Sequence, residues 1–233
     1  MQIISYTLNL TLTIFVSILI LFSGPHSHAE DTSIPIERRT KTVQIINKSL
    51  PSVAAIQTFK ESGTKGIYNI QAGSASVIHE AGYLLTNEHV VSEIIQGNAT
   101  LYGDSPKNFE VIATMKSEDL AIIKIDSEKK LPKIPIGRSN DLLLGEPVIT
   151  KGNPGGLNHS ISKGIISGLN RSTSTGAAFL PWMIQTSAAV SGGNSGGPLI
   201  NALGQQIGTI TSKQMGSENI NFAIAMDRDR EVL

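Results

Sequence analysis

Ser195 stands in Ser191-Gly192-Gly193-Asn194-Ser195-Gly196-Gly197-Pro198-Leu199-Ile200, one serine among four glycines at the head of an apolar run. A serine hydroxyl is a weak nucleophile until a neighbouring base takes its proton and N–H donors face the oxyanion that attack creates. A glycine turn can present such donors and lets a substrate come close to the backbone. The chemistry suggested is nucleophilic attack on a carbonyl, which also needs a base and an acid to orient it.

The five histidines, His26, His28, His79, His89 and His159, all precede Ser195. Gly193-Asn194-Ser195-Gly196-Gly197 fits G-x-S-x-G, but α/β-hydrolases place their acid and histidine after that serine. The orders left are His…Asp…Ser and Asp…His…Ser. His89 follows the apolar Tyr83-Leu84-Leu85 in Thr86-Asn87-Glu88-His89, and Asp119 closes Lys116-Ser117-Glu118 ahead of Leu120-Ala121-Ile122-Ile123-Lys124-Ile125. A carboxylate at the border of a buried strand is costly unless paired, and can orient an imidazole. An Asp119…His159…Ser195 order would need an α/β sheet with long helices, which this chain does not show. His79 and His159 read as loop residues. No metal-ligand spacing, phosphate loop or dinucleotide fingerprint is present, so no cofactor or metal is expected.

The elements that must position these residues are short strands. Apolar runs at 75–78, 83–86, 120–125, 147–150, 164–169, 198–200 and 206–211 are separated by Gly, Asn, Asp and Pro. Asn201-Ala202-Leu203-Gly204 reads as a hairpin connection, and residues 43–53 as room for a short helix. The chain has 233 residues, 19 basic and 19 acidic side chains and no cysteine. Balanced charge gives no reason to expect a nucleic-acid or anionic-membrane partner. Absent cysteine excludes disulfides and thiolate catalysis. Residues 1–29 hold no Lys, Arg, Asp or Glu, are apolar over 8–22 and end in Ser27-His28-Ala29. They read as a secretory signal peptide, with an N-terminal membrane anchor as the alternative.

Thr86-Asn87-x-His89-Val90-Val91, Asp119-Leu120-Ala121-Ile122-x-Lys124-Ile125 and Gly193-Asn194-Ser195-Gly196-Gly197-Pro198-Leu199, in that order, resemble the HtrA/Deg branch of the chymotrypsin-like serine proteases. Gly152-Asn153-Pro154-x-Gly156, Gly164-Ile165-Ile166-Ser167 and Gln185-Thr186-x-Ala188-Ala189 add to the resemblance. It implies an all-β fold of two six-stranded antiparallel barrels with the active site between them. Residues 30–50 would be an N-terminal segment, 51–133 the first barrel and 134–233 the second, with Lys129-Lys130-Leu131-Pro132-Lys133 as crossover. The site implied is His89 as base, Asp119 as its orienting acid and Ser195 as nucleophile. Gly193, Asn194 and Ser195 would form the oxyanion hole, the N–H groups of Gly193 and Ser195 being its donors. Ala189, Ile210, Thr211, Ser212, Lys213 and Phe222 would bind substrate, Ala189 at the pocket base and Thr211 to Lys213 pairing with the substrate backbone.

The function implied is a serine endopeptidase acting on unfolded or damaged proteins of the cell envelope, exported to a bacterial periplasm or secreted, and cutting after small or medium apolar residues. The alternatives are a peptide-binding, chaperone-like protein of the same fold and a narrow maturation protease. Asn194 stands where many digestive relatives carry an aspartate that pairs with a newly cut N-terminus. Control by ordering of loops near Arg171–Pro181, Ser191–Asn194 and Lys213–Asn219 is therefore expected instead. Departures from the family pattern are Ser187, the pair Ser191-Gly192, and Ala225. The chain stops at Leu233, where many relatives continue into a PDZ domain, so a protease without that domain or a truncated gene is expected. A homo-oligomer, such as a trimer through the protease domain, fits the resemblance but is not displayed by the sequence.

Overall fold

A computed structural model describes residues 35–61, 68–152, 160–174, 179–213 and 218–229. Residues 1–29, expected to be a signal peptide or a membrane anchor, and His159 lie outside these residues. Among the described residues, twelve strands close into two antiparallel barrels, as the resemblance implies. The first is ordered β1-β2-β3-β6-β5-β4: β1 Val53–Glu61, β2 Tyr68–His79, β3 Tyr83–Thr86, β4 Gln96–Thr100, β5 Lys107–Met115 and β6 Leu120–Ile125. The second is ordered β10-β11-β12-β9-β8-β7: β7 Pro147–Gly152, β8 Ser160–Ser174, β9 Phe179–Thr186, β10 Pro198–Ile200, β11 Gln206–Lys213 and β12 Asn221–Ala225.

Side-chain alternation explains the barrels. In β6, Leu120, Ala121, Ile123 and Ile125 are buried while Ile122 and Lys124 are only partly covered. Leu84, Ile56, Val77 and Ile123 fill the first barrel, and Val148, Ile166, Leu199 and Ile207 the second. A third cluster joins them: Leu85 and Leu120 from the first barrel meet Leu180, Met183, Phe222 and Ile224 from the second. Leu120, next to Asp119, is thus fixed by the barrel–barrel contact, and burying such a side chain is worth about 1.5–3 kcal/mol.

The region expected to hold a short helix forms α1, Lys41–Ser49, followed by a 3-10 turn, Leu50–Ser52. Thr40 caps it by accepting from the Val43 N–H at 3.4 Å. The chain crosses between barrels over 126–146, where the Leu131 N–H donates to the Glu80 carbonyl and the Ile134 N–H to that of Val77. One expectation needs correction. Arg171–Pro181 is not a loop throughout, because β8 extends to Ser174 and β9 begins at Phe179. A ladder slip between Arg171 and Thr173 leaves Trp182 at φ 62° and exposed, so Pro181-Trp182 bulges without ending the strand.

Candidate active site

His89 lies on α2, Glu88–Val91, a single turn that follows β3. Val90 and Val91 anchor that turn in the first barrel's core, leaving the imidazole exposed toward solvent. Asp119 caps the 3-10 turn Lys116–Glu118 in the left-handed conformation, φ 55°, which aspartate tolerates better than most residues. Its backbone is held there from β3's end: the Asn87 amide donates to the Asp119 carbonyl at 2.9 Å.

The two side chains meet. His89 Nδ1 lies 2.9 Å and 3.0 Å from the two Asp119 carboxylate oxygens, and the His89 N–H donates to Oδ1 at 3.1 Å. A carboxylate accepts, so in the neutral imidazole the proton sits on Nδ1 and the lone pair on Nε2. The Thr211 hydroxyl donates to Asp119 Oδ2 in a short bond. Asp119 is buried and compensated by these donors.

Ser195 comes from the second barrel on the turn before β10. The Asn194 N–H donates to the Ser191 carbonyl at 3.0 Å with Gly193 at φ 101°, the sign that the third residue of a type II turn requires. Gly196 has φ 84°, and a Cβ there would strike the Ser74 carbonyl and Thr86 Oγ1. Ser74 of β2 grips the same turn: its hydroxyl donates to the Gly193 carbonyl at 2.7 Å and its N–H to the Ser195 carbonyl at 2.8 Å. The N–H groups of Gly193 and Ser195 have no acceptor among the described residues. Asn194 is buried, and its Oδ1 meets no donor among them. The Ser195 hydroxyl donates to the Thr211 carbonyl at 3.2 Å, so it rests on β11 and not on His89.

The remaining candidates are spread along β9 to β12. Ala189 is exposed after the buried Ala188, whose carbonyl accepts from the Asn221 amide at 2.9 Å. Ile210 is fully buried in the second barrel, and Phe222 belongs to the cluster between barrels. Ser212 and Lys213 pair by backbone with Phe222 and Asn221. His79 is exposed at the end of β2, its Nδ1 accepting from the Ala81 N–H at 3.2 Å. Among the described residues no group of His, Asp and Glu is gathered that could hold a metal. Sequence reasoning missed three supports: Ser74, Asn87 and the hydroxyl of Thr211. Asn87, two residues before His89 in the motif, carried a signal. Ser74 carried none.

Two six-stranded antiparallel β-barrels, the first carrying an acid that clasps a histidine and the second a serine on a glycine turn, are the arrangement of chymotrypsin-fold serine peptidases. The family model "Trypsin-like peptidase domain" matches residues 73–208, more than half of the chain. The chain therefore belongs to the trypsin-like peptidase family. It is 34% identical over 96% of its length to "Putative serine protease HhoA" of Synechocystis sp., covering 57% of that protein. It is 38% identical over 66% of its length to "Probable periplasmic serine endoprotease DegP-like" of Halomonas elongata, covering 33% of that one. The solved structure "HtrA-type protease AlgW with tripeptide" matches with TM-score 0.73 and 35% identity over 82% of this chain and 61% of that one. The chain thus spans little more than half, or less, of the length of these two curated relatives.

Proposed function

We propose that this chain is a serine endopeptidase for unfolded polypeptide segments, working through His89, Asp119 and Ser195. The observation that carries the reading is the two-oxygen clasp of His89 Nδ1 by Asp119. It leaves Nε2 as the basic nitrogen on the exposed side, in the orientation a general base needs. In the reaction, the Ser195 hydroxyl leaves the Thr211 carbonyl, turns to Nε2 and gives up its proton as Oγ attacks the peptide carbonyl. The imidazolium, stabilised by Asp119, then protonates the departing amine, and water hydrolyses the acyl-enzyme by the same route. The N–H groups of Gly193 and Ser195 are the donors for the oxyanion.

The backbone of β11 at Thr211 to Lys213 would take the substrate as an added strand. Ala189, with no charge for Lys or Arg, favours a small or medium apolar residue before the cut. The name of the DegP-like relative points to a periplasmic setting and the HtrA-type structure to peptide ligands. Among the described residues, no helix is long and apolar enough to cross a membrane.

The test is digestion of casein by the chain and by Ser195→Ala, with the cut sites mapped. Cleavage after Ala, Val or Ile that vanishes in the variant supports the reading; cuts after Arg or Lys would overturn the specificity. A second reading, peptide binding without turnover, draws on the Ser195 hydroxyl resting on Thr211. Capture of unfolded protein with no cleavage would favour it.

A further inference from the structure

Lys151 is the largest fully buried side chain of the described residues and takes no part in the site above. It lies on β7 of the second barrel, yet its ammonium reaches the first. Nζ donates to the carbonyl of Leu50 at 2.6 Å and of Val53 at 3.4 Å, where the chain leaves α1 and begins β1. A cation suits the carbonyl end of a helix. Among the described residues, the titratable group that faces it is Tyr102, after β4, whose ring centroid lies 5.8 Å from Nζ. No carboxylate lies within ion-pair distance among the described residues. A buried charge satisfied by main-chain carbonyls, with no acid beside it among the described residues, is an expensive way to fill a core.

What this charge joins suggests its use. β7 runs beside β10, with Leu199 opposite Thr150, and its end lines one side of the serine turn. A Cβ on Gly197 would strike the Lys151 carbonyl, and one on Gly152 would strike the Asn194 side chain. The other side of the turn is β2, whose Ser74 holds the carbonyls of Gly193 and Ser195. β2 pairs along β1, Ser74 opposite Ala55 and Ser76 opposite Val53. The turn is thus held between two walls, β7 and the β1–β2 pair, and the Lys151 ammonium bonds one wall to the start of the other.

We propose that Lys151 is a positioning residue for the Ser195 reaction: by clamping the Leu50 and Val53 carbonyls it sets the spacing of the two walls and so holds the Ser191–Gly197 turn in its donor-presenting shape. The inference rests on the proposed serine chemistry. It also gives α1 and the Leu50–Ser52 turn a role in activity without contact to substrate. Burial pushes the ammonium down to about 7 while the carbonyl acceptors favour the charged form, so the clamp weakens as pH rises above neutrality.

The experiment uses the full chain and Lys151→Met, which keeps the apolar stem. The readouts are the rate of Ser195 phosphonylation by a fluorophosphonate, kcat and KM on an apolar peptide, and melting temperature, from pH 6 to 9. We expect the variant to label and turn over about 10- to 100-fold more slowly, the scale of a small misplacement of reacting groups. KM should stay within about twofold and melting should be no lower than wild type. An equal labelling rate with an unchanged pH profile would overturn the inference. If the variant melts early, the wild type decides. Labelling that slows between pH 7 and 9 without loss of fold supports the clamp, and a flat profile overturns it. A wild type that never labels overturns the serine reading and this inference together, whereas a labelled wild type with an indifferent variant overturns the inference alone.

Discussion

The two barrels supply the two halves of the site in different physical ways. The first barrel's half is fixed by side-chain bonds: Asp119 takes His89 through both oxygens, the Thr211 hydroxyl of β11 donates one more bond to Oδ2, and Asn87 holds its backbone in the left-handed region. The second barrel's half is fixed mainly by backbone: positive φ at Gly193 and Gly196, turn hydrogen bonds and crowding that leaves no room for a Cβ at Gly196, with one side-chain bond from the Ser74 hydroxyl. Charge-assisted side-chain bonds tolerate small shifts, whereas a glycine turn keeps its shape only while its walls keep theirs. The His89–Asp119 pair is therefore organised mainly within the first barrel, with one bond from Thr211 of β11, and the oxyanion donors depend on the packing of both barrels.

Substitutions can break that contrast in order of effect. Ser195→Ala should abolish peptide turnover by a factor on the order of 10⁴ or more without changing the melting temperature, as steady-state kinetics and calorimetry would show. Asp119→Asn removes the acceptor that fixes the imidazole tautomer and should cost on the order of 10⁴-fold in kcat. A loss below tenfold would mean that His89 is oriented by something else. Gly196→Ala tests the backbone half. The new methyl meets Ser74 and Thr86 at a strained φ, so urea unfolding should show a stability loss of about 2 kcal/mol or more alongside weak activity. Thr211→Val deletes one donor to Asp119 and should slow kcat about tenfold, as expected for one net hydrogen bond.

Lys151 sharpens the comparison through pH. Between about 7 and its ordinary 10.5, the unfolded chain binds a proton that the folded chain has released. Wild-type stability relative to Lys151→Met must then rise with pH across that window and stay level below it. The melting-temperature difference between the two should move toward wild type by at least about 2–4 °C between pH 7 and 10. Activity is expected to fall over the same range. A purely structural lysine would not send stability and activity in opposite directions.

The barrels were legible because inward and outward side chains alternate. The runs at 120–125 and 206–211 fall within β6 and β11, and Asn201-Ala202-Leu203-Gly204 turns between β10 and β11, its Gly204 N–H donating to the Asn201 carbonyl at 3.0 Å. β5 was hidden because Val111, Ile112 and Met115 are exposed and give no alternation. β9 was hidden by Pro181 and the bulge at Trp182. His89, Asp119 and Ser195 could be named as candidates from residue type and chain order. Their supports could not, since Thr211 reaches Asp119 across 92 positions, Lys151 reaches Leu50 across 101 and Ser74 reaches Gly193 across 119. Such contacts follow from barrel closure and leave no local pattern.

The central claim is that Ser195 is a nucleophile activated by the Asp119-clasped His89. Its most direct test is fluorophosphonate labelling of the full chain followed by peptide mapping, with Asp119→Asn and Ser195→Ala in parallel. The expected result is a single adduct on Ser195 in the wild type, formed at least about 100-fold more slowly in Asp119→Asn and absent from Ser195→Ala. An adduct elsewhere, or equal labelling with and without the aspartate, would contradict it.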